Sequence, residues 1–155
     1  MKTNAARLLD ALDIDYGILT YPVDPNNLVA GATADKLGLP HGQVFKTLVI
    51  RGDRNGICLA VLAANAQLNL KALAKLTKDR KVLPVPLKEV QPLTGYIRGG
   101  VTALACKRHY PTYVDEWIEA HDHIAVSAGM RGAMLWLTPQ DYIKATQATV
   151  GAIAM

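Results

Sequence analysis

The sequence lacks the features that mark several specialised protein classes. Only two of its 155 residues are cysteine, so a disulfide framework is not expected, in keeping with a reducing cytosol. No run of about 18 apolar residues occurs, which argues against a membrane-spanning helix. The first seven residues predict an amphipathic helix and not a secretory signal. We therefore expect a cytoplasmic globular protein that does not act at a membrane.

Charge of one sign is also sparse. The net charge is only +4, from 17 lysines and arginines against 13 aspartates and glutamates, and no block of basic residues occurs. This mild excess of positive charge favours a polyanionic partner such as RNA, but only weakly. Because no basic stripe follows the chain, we expect any contact with a nucleic acid to be confined to a small part of it.

The residues that would build a metal centre or a hydrolase triad are not grouped in the sequence. His121 and His123 could share one face of a strand, but no cysteine or third histidine follows nearby, so we expect no metal and no cofactor. Ser127 does not stand in a Gly-x-Ser-x-Gly elbow, so a serine hydrolase is unsupported. Cys106 precedes basic residues that could lower the pKa of its thiol, yet a structural role is the expectation.

Short apolar strands alternate with short amphipathic helices along the chain. The central pattern runs from Val44 to Arg51 and is rich in β-branched residues, which predicts a strand covered on both faces. The turn at 52–56 predicts a hairpin with a returning strand at 57–63. These features predict one domain over residues 1–155 with an α+β fold, in which helices flank a mixed, partly barrel-like β-sheet.

Capping residues predict where the helices begin. They are Thr3 or Asn4, Thr33, Asn69, and Thr138 followed by Pro139. A single helical turn is predicted from Leu87 to Gln91, ending before Pro92.

Three features of the sequence could meet in one site. Lys46 lies on the central strand, where its neighbours are apolar, so its ammonium either reaches out to water or points into a pocket for an anion or a carbonyl. The stretch 94–102 carries three glycines, which make either a tight turn or a nest of backbone donors. Ser127 opens a second loop that contains Gly129. These groups include no general base, which favours binding, or catalysis that uses the substrate's own groups.

The order and spacing of four motifs resemble the YbaK/EbsC family, over nearly the whole chain. The motifs are Phe45-Lys46-Thr47-Leu48, Thr94-Gly95-Tyr96-Ile97-Arg98-Gly99-Gly100, Lys107-Arg108 and Val126-Ser127-Ala128-Gly129-Met130-Arg131-Gly132. The resemblance is closest to the YbaK-type Cys-tRNA(Pro) deacylases, which are relatives of the editing domain of bacterial prolyl-tRNA synthetases. It implies trans-editing of mischarged tRNA, since cysteine is too similar in size to proline for one pocket to reject it fully.

The resemblance also implies a mechanism and a set of site residues. The thiol of the substrate cysteine attacks its own ester carbonyl, so the enzyme is a deacylase of hydrolase or lyase type without a protein nucleophile. The implied catalytic residues are Lys46, Gly99 and Gly100. The implied substrate-binding residues are Tyr21, Thr47, Tyr96, Ser127 and Gly129. The implied partners are the 3′ CCA end of mischarged tRNA and prolyl-tRNA synthetase, in a ternary complex.

Two other functions stay open at this point. Ala128 stands where the family's second loop commonly has glycine. Sister branches of the family remove alanine or other small amino acids, so a deacylase of different specificity is one alternative. A non-catalytic module that binds tRNA ends is the other, although Lys46 and the two glycines argue against it.

Overall fold

A computed structural model describes residues 2–155, and a β-hairpin lies at its centre. Strand β2 (Val44–Gly52) pairs antiparallel with β3 (Gly56–Ala63) from Phe45 to Gly52, as the hairpin signal in the sequence predicts. Both faces of the hairpin are covered. Phe45 and Val61 belong to the largest buried cluster, whereas Ile50 and Ala60 belong to a second cluster on the opposite face. The burial on both sides explains why apolar side chains occur at consecutive positions of these strands.

Six further strands extend the hairpin into a mixed sheet. They are β1 (Gly17–Thr20), β4 (Val82–Pro84), β5 (Thr112–Asp115), β6 (Ile124–Ser127), β7 (Ala133–Leu137) and β8 (Thr149–Gly151). The strand order is β1-β7-β6-β2-β3-β5-β8, and β4 pairs with β2 outside this path. The predicted α+β class with a mixed sheet is confirmed. The pairing among the described strands does not close into a ring.

Within residues 2–155, five α-helices flank the sheet. They are α1 (Asn4–Ala11), α2 (Ala30–Leu37), α3 (Leu70–Thr77), α4 (Leu87–Thr94) and α5 (Pro139–Thr146). Three predicted caps are confirmed, because the side chains of Thr3, Asn69 and Thr138 accept hydrogen bonds from backbone amides in the first turns of α1, α3 and α5. No helix among residues 2–155 combines the length and the apolar character that crossing a bilayer requires.

Two predicted helix boundaries are wrong. Helix α2 starts at Ala30, so Thr33 lies inside the helix and does not cap it. Helix α4 continues through Pro92 to Thr94, where a stop had been expected. The proline removes one amide donor, but the apolar side chains of Val90 and Leu93 pack on the cluster around Val49 and hold the helix in place.

Strand β8 has no counterpart among the predicted elements. It is three residues long and pairs in parallel with β5. Its sequence, Thr149-Val150-Gly151, is too short to show a period of two, so only the pairing with β5 identifies it as a strand.

Candidate active site

The candidate site lies at a break in the sheet. Along one edge of β2, strand β6 pairs with Val44 and Phe45, and strand β4 pairs with the segment from Ile50 to Gly52. Between these two pairings the edge of β2 at residues 46–49 faces no strand. A cavity of about 630 Å³ opens at this place, between β2, helix α2 and the segment 84–101.

Lys46 lies in the wall of this cavity. Its ammonium donates hydrogen bonds to the backbone oxygens of Ala64 at 3.2 Å and Ala66 at 2.7 Å. Half-burial lowers the pKa of Lys46 from its ordinary value, because a charge is harder to keep away from water. Within residues 2–155 its ammonium has no carboxylate partner. Of the two roles left open by the sequence, the structure favours the one in which the lysine borders a pocket.

Two glycine-bearing loops pack against each other beside the cavity. Gly99 and Gly129 both adopt left-handed backbone conformations, with φ of +85° and +91°. A side chain on Gly129 would lie 2.8 Å from a ring carbon of Tyr96, and a side chain on Gly100 would lie 3.1 Å from the backbone of Met130. The glycines therefore allow both the turns and the close contact between the loops.

The two predicted catalytic glycines have different surroundings. Gly99 lines the cavity, and its amide has no hydrogen-bond partner within the described chain. The amide of Gly100, by contrast, donates to the oxygen of Ile97 at 2.9 Å, and Gly100 is not among the lining residues. Of these two amides, that of Gly99 is therefore the one free to bind a carbonyl oxygen.

The second loop contributes Ser127, which lines the cavity. Its hydroxyl oxygen accepts a hydrogen bond from the amide of Gly129 at 3.1 Å, so its own hydrogen remains available to a ligand. Ala128 is 3% exposed and packs in the largest buried cluster. The extra methyl group relative to the common family pattern therefore points into the core and does not narrow the cavity.

Tyr96 supports the loops from behind. Its hydroxyl donates to the backbone oxygens of Leu104 at 2.7 Å and Ala105 at 3.0 Å, and burial raises its pKa to about 12. Tyr96, Gly100 and Gly129 all lie behind the cavity surface. The other five predicted site residues line it together: Tyr21, Lys46, Thr47, Gly99 and Ser127.

Sequence reasoning missed part of the site. Arg98 lines the cavity, and its backbone oxygen accepts a hydrogen bond from the guanidinium of Arg131 at 2.8 Å. The presence of Arg98 within the glycine-rich stretch was the available signal. Helix α2 and its approach, from Leu28 to Thr33, form an apolar wall that carries no chemical signal in the sequence.

The ionisable side chains that line the cavity are Tyr21, Lys46 and Arg98. No carboxylate or imidazole is among the lining side chains, whereas Lys46 and Arg98 contribute an amine and a guanidinium. The cysteines are no substitute, because burial raises the pKa of Cys58 and Cys106 to about 11. The arrangement can therefore bind and orient an anionic or carbonyl group, but its lining offers no carboxylate or imidazole, the groups that most often serve as a general base.

Two of the histidines that could have served as metal ligands pack against aromatic rings. His123 stacks on Trp136 with ring centroids 5.4 Å apart, and His121 contacts the ring of Phe45 edge to face. In the part of the chain that the structure describes, no group of three potential metal ligands comes together.

Comparison with known proteins gives a family assignment and several relatives. A sequence model described as the aminoacyl-tRNA editing domain matches residues 25–145. EbsC of Enterococcus faecalis, a proposed Cys-tRNA(Pro)/Cys-tRNA(Cys) deacylase, is 37% identical over 145 residues, which cover 94% of this chain and 88% of EbsC. The multifunctional Ser/Thr-tRNA deacylase ProXp-y of Escherichia coli K12 is 30% identical over 120 residues, covering 75% of this chain and 72% of that protein.

A solved structure has the same fold. The crystal structure of a proposed trans-editing enzyme for prolyl-tRNA synthetase superposes with a TM-score of 0.83 and 24% sequence identity, covering 100% of this chain and 99% of that one. At this identity the likeness concerns the fold alone. The overall architecture of this chain is therefore shared with at least one other protein.

Proposed function

Because the chain belongs to the aminoacyl-tRNA editing domain family, we propose that it is a trans-editing deacylase that removes cysteine from mischarged Cys-tRNA(Pro), and also from Cys-tRNA(Cys). One observation carries this proposal. The cavity combines the Lys46 ammonium, the Arg98 guanidinium and backbone donors, and its lining side chains include no carboxylate or imidazole. Such a site suits a reaction in which the substrate provides its own nucleophile.

The proposed reaction is an intramolecular attack. The sulfur of the cysteinyl group forms a bond to the ester carbonyl carbon, and the bond between that carbon and the ribose oxygen breaks. The thiol proton ends on the ribose oxygen, so tRNA leaves with a free hydroxyl and cysteine leaves as a cyclic thiolactone. The thiol and the carbonyl belong to one residue, and holding them in a reactive conformation lowers the barrier without a protein nucleophile.

The cavity groups have complementary roles in this proposal. Lys46 holds the 3′-terminal adenosine or its phosphate, because its ammonium is bound to two backbone oxygens and keeps a third hydrogen for a ligand. The free amide of Gly99 donates to the carbonyl oxygen as negative charge develops there. Loss of one such donor typically slows catalysis by about 100-fold to 1,000-fold. The amide of Gly100 does not bind the substrate in this proposal; it donates to the oxygen of Ile97 and so stabilises the turn that presents Gly99.

The protein is proposed to act on tRNA that is bound to a second protein, and not on free tRNA. A chain of 155 residues with net charge +4 can enclose a CCA end but offers little surface for reading a whole tRNA. We therefore propose a ternary complex with prolyl-tRNA synthetase in the cytoplasm, where charging takes place. Tight binding of free tRNA(Pro) with strong preference over other tRNAs would contradict this part of the proposal.

A second candidate activity is removal of a different small amino acid. The relative from Escherichia coli that is 30% identical to this chain is named as a Ser/Thr-tRNA deacylase. A hydroxyl is a much weaker acid than a thiol, so hydrolysis of a seryl ester would need water or the ribose hydroxyl to act instead.

A panel of aminoacylated tRNA(Pro) substrates tests the proposal. The panel contains cysteinyl, S-methylcysteinyl, alanyl, seryl and prolyl esters, and the products are searched for the thiolactone. We expect cleavage of the cysteinyl ester alone, with resistance after S-methylation. Cleavage of seryl or alanyl esters, with S-methylcysteine also removed, would support the second candidate. Turnover of none of the five would overturn both and leave a binding module.

A further inference from the structure

The backbone of Thr47 is the part of β2 that faces the break in the sheet. Along a strand, successive residues direct their N–H and C=O groups to opposite edges. The oxygen of Val44 accepts a hydrogen bond from the amide of Ala64 on the β3 side. The even-numbered residues of β2 therefore direct their amides and oxygens toward β3 and form the hydrogen bonds of that ladder. The oxygen of Val49 accepts from the amide of Val85 on the β4 side, so the odd-numbered residues point toward the opposite edge.

On that opposite edge three odd-numbered residues follow one another. Phe45 is paired with β6, and Val49 is bonded to the residue that follows β4. Thr47 lies between them, and its amide and carbonyl oxygen have no hydrogen-bond partner among residues 2–155. Thr47 lines the cavity. An unpaired donor and acceptor in the interior of a central strand are unusual, because such groups are normally satisfied.

We propose that the aminoacyl group of the tRNA substrate occupies this position and pairs with Thr47 as a strand of one residue. In this pairing the Thr47 amide donates to the ester carbonyl oxygen, and the α-ammonium group of the substrate donates to the Thr47 carbonyl oxygen. The inference rests on the proposed function, because it takes an aminoacyl ester as the occupant.

The chemistry of the occupant matches the groups on the strand edge. A residue opposite Thr47 in a hydrogen-bonded antiparallel pair offers one amine and one carbonyl oxygen, and an aminoacyl ester carries both. The ionisable side chains lining the cavity are Tyr21, Lys46 and Arg98, so the α-ammonium group finds a backbone oxygen as its acceptor there. The carbonyl oxygen has two lone pairs, which the amides of Thr47 and Gly99 can both engage as negative charge develops.

Amide hydrogen exchange tests the pairing without turnover. The probe is 3′-deoxy-3′-(cysteinylamino)adenosine, whose amide linkage replaces the reactive ester. Saturating probe is expected to slow exchange of the Thr47 amide at least tenfold and to shift its NMR resonance. The amide of Ile18 serves as the internal reference, because β1 is the last strand of the sheet and Ile18 faces its outer edge. Unchanged exchange at Thr47 with the probe bound would overturn the proposal.

A pair of substitutions separates the backbone of Thr47 from its side chain. Thr47→Val keeps the amide and the side-chain shape, whereas Thr47→Pro removes the amide as well. The β2–β3 ladder uses the flanking even-numbered residues, so proline at this position removes no ladder bond. We expect Thr47→Pro to cleave Cys-tRNA(Pro) about 100-fold more slowly than Thr47→Val. Ile18→Pro, which also places proline on an unpaired edge, is expected to react like the wild type.

The outcomes separate failure of the pairing from failure of the proposed function. Equal rates for the two Thr47 variants would overturn the pairing while leaving the deacylase intact. A wild-type protein that cleaves no cysteinyl-tRNA would instead overturn the proposed function. If Thr47→Pro does not fold, as judged by circular dichroism, the hydrogen-exchange measurement decides the question on the unaltered chain.

Discussion

Lys46 should contribute far more to catalysis than to folding, and Lys46→Ala tests this. The substitution removes the ammonium from the cavity wall together with its bonds to the oxygens of Ala64 and Ala66. In the proposed reaction that ammonium holds the end of the tRNA in place. Its removal therefore leaves the carbonyl donors intact but allows the ester to move away from them.

The two effects can be estimated separately. Hydrogen bonds from a charged donor contribute about 1.5–3 kcal/mol each, but here the cost of keeping a half-buried charge offsets much of the gain. We expect a net loss of about 1–2 kcal/mol in the free energy of unfolding. For catalysis, loss of a preorganised charged group in a cavity is expected to cost about 3–4 kcal/mol, which corresponds to about 100-fold to 1,000-fold in rate.

The assay compares single-turnover deacylation of Cys-tRNA(Pro) with urea unfolding of the same protein samples. Lys75→Ala is the matched control, because Lys75 is exposed on helix α3 and takes no part in the cavity. The control is expected to match the wild type in both measurements. A Lys46→Ala protein that folds and deacylates at the wild-type rate would refute the reasoning. A loss of activity fully explained by unfolding would refute it as well.

Three further predictions follow from the geometry. Burial lowers the pKa of Lys46, so the enzymatic rate of deacylation, corrected for spontaneous hydrolysis, should fall as pH rises through a value below 10.5. Lys46→Arg should move this fall to higher pH, and identical pH profiles for the two proteins would contradict the prediction. Tyr96→Phe should lower stability by about 1–3 kcal/mol, by leaving the buried oxygen of Leu104 and the half-buried oxygen of Ala105 without this donor, while KM stays unchanged; a raised KM at unchanged stability would instead make Tyr96 a substrate contact. Tyr142→Phe should change the melting temperature little, because the Tyr142 hydroxyl is buried near the Thr47 side chain but makes no hydrogen bond of good geometry within the described chain; a clear drop would show that the two side chains are hydrogen-bonded.

The lowered pKa of Lys46 also makes folding stability depend on pH, in the direction opposite to the activity. Between the pKa of Lys46 in the folded protein and that in the unfolded chain, the unfolded chain binds more protons. The contribution of Lys46 to the free energy of unfolding therefore rises with pH in that alkaline window. The measurement is the difference in free energy of unfolding between the wild type and Lys46→Ala, because Cys58, Cys106 and Tyr96, whose pKa values are raised by burial, titrate with the opposite sign. A decrease in this difference across the window would contradict the burial of Lys46.

Local signals in the sequence are sufficient to predict the central hairpin and the first residues of three helices. The turn at 52–56 and the β-branched residues of β2 act over a few residues, and so do the caps Thr3, Asn69 and Thr138. Thr33 was misassigned because a threonine can equally well occupy the interior of a short helix when apolar neighbours fix the helix elsewhere. Such choices depend on packing between distant segments, which no local pattern encodes.

The residues of the candidate site were likewise predictable only in part, because some depend on packing between distant segments. Resemblance to a family pointed to two loops and to Lys46, and the structure places Lys46, Gly99 and Ser127 in the lining of one cavity. It could not tell which residues of a loop face the cavity and which support it. Tyr96 and Gly129 contact each other behind the surface, and this contact depends on how two loops far apart in the chain pack. The break in the sheet likewise requires β6 and β4 to pair with different parts of β2.

The break in the sheet also bears on how such an enzyme could tell cysteine from proline. The two amino acids are similar in size, so a cavity that binds one by shape cannot strongly exclude the other. Discrimination can then come from the reaction itself. A cavity that offers cationic groups and hydrogen-bond donors, but no carboxylate or imidazole, can activate the carbonyl of either ester. Only the cysteinyl ester carries an internal nucleophile that can use this activation. The correctly charged Pro-tRNA(Pro) is then spared because it lacks a thiol, even when it enters the same cavity.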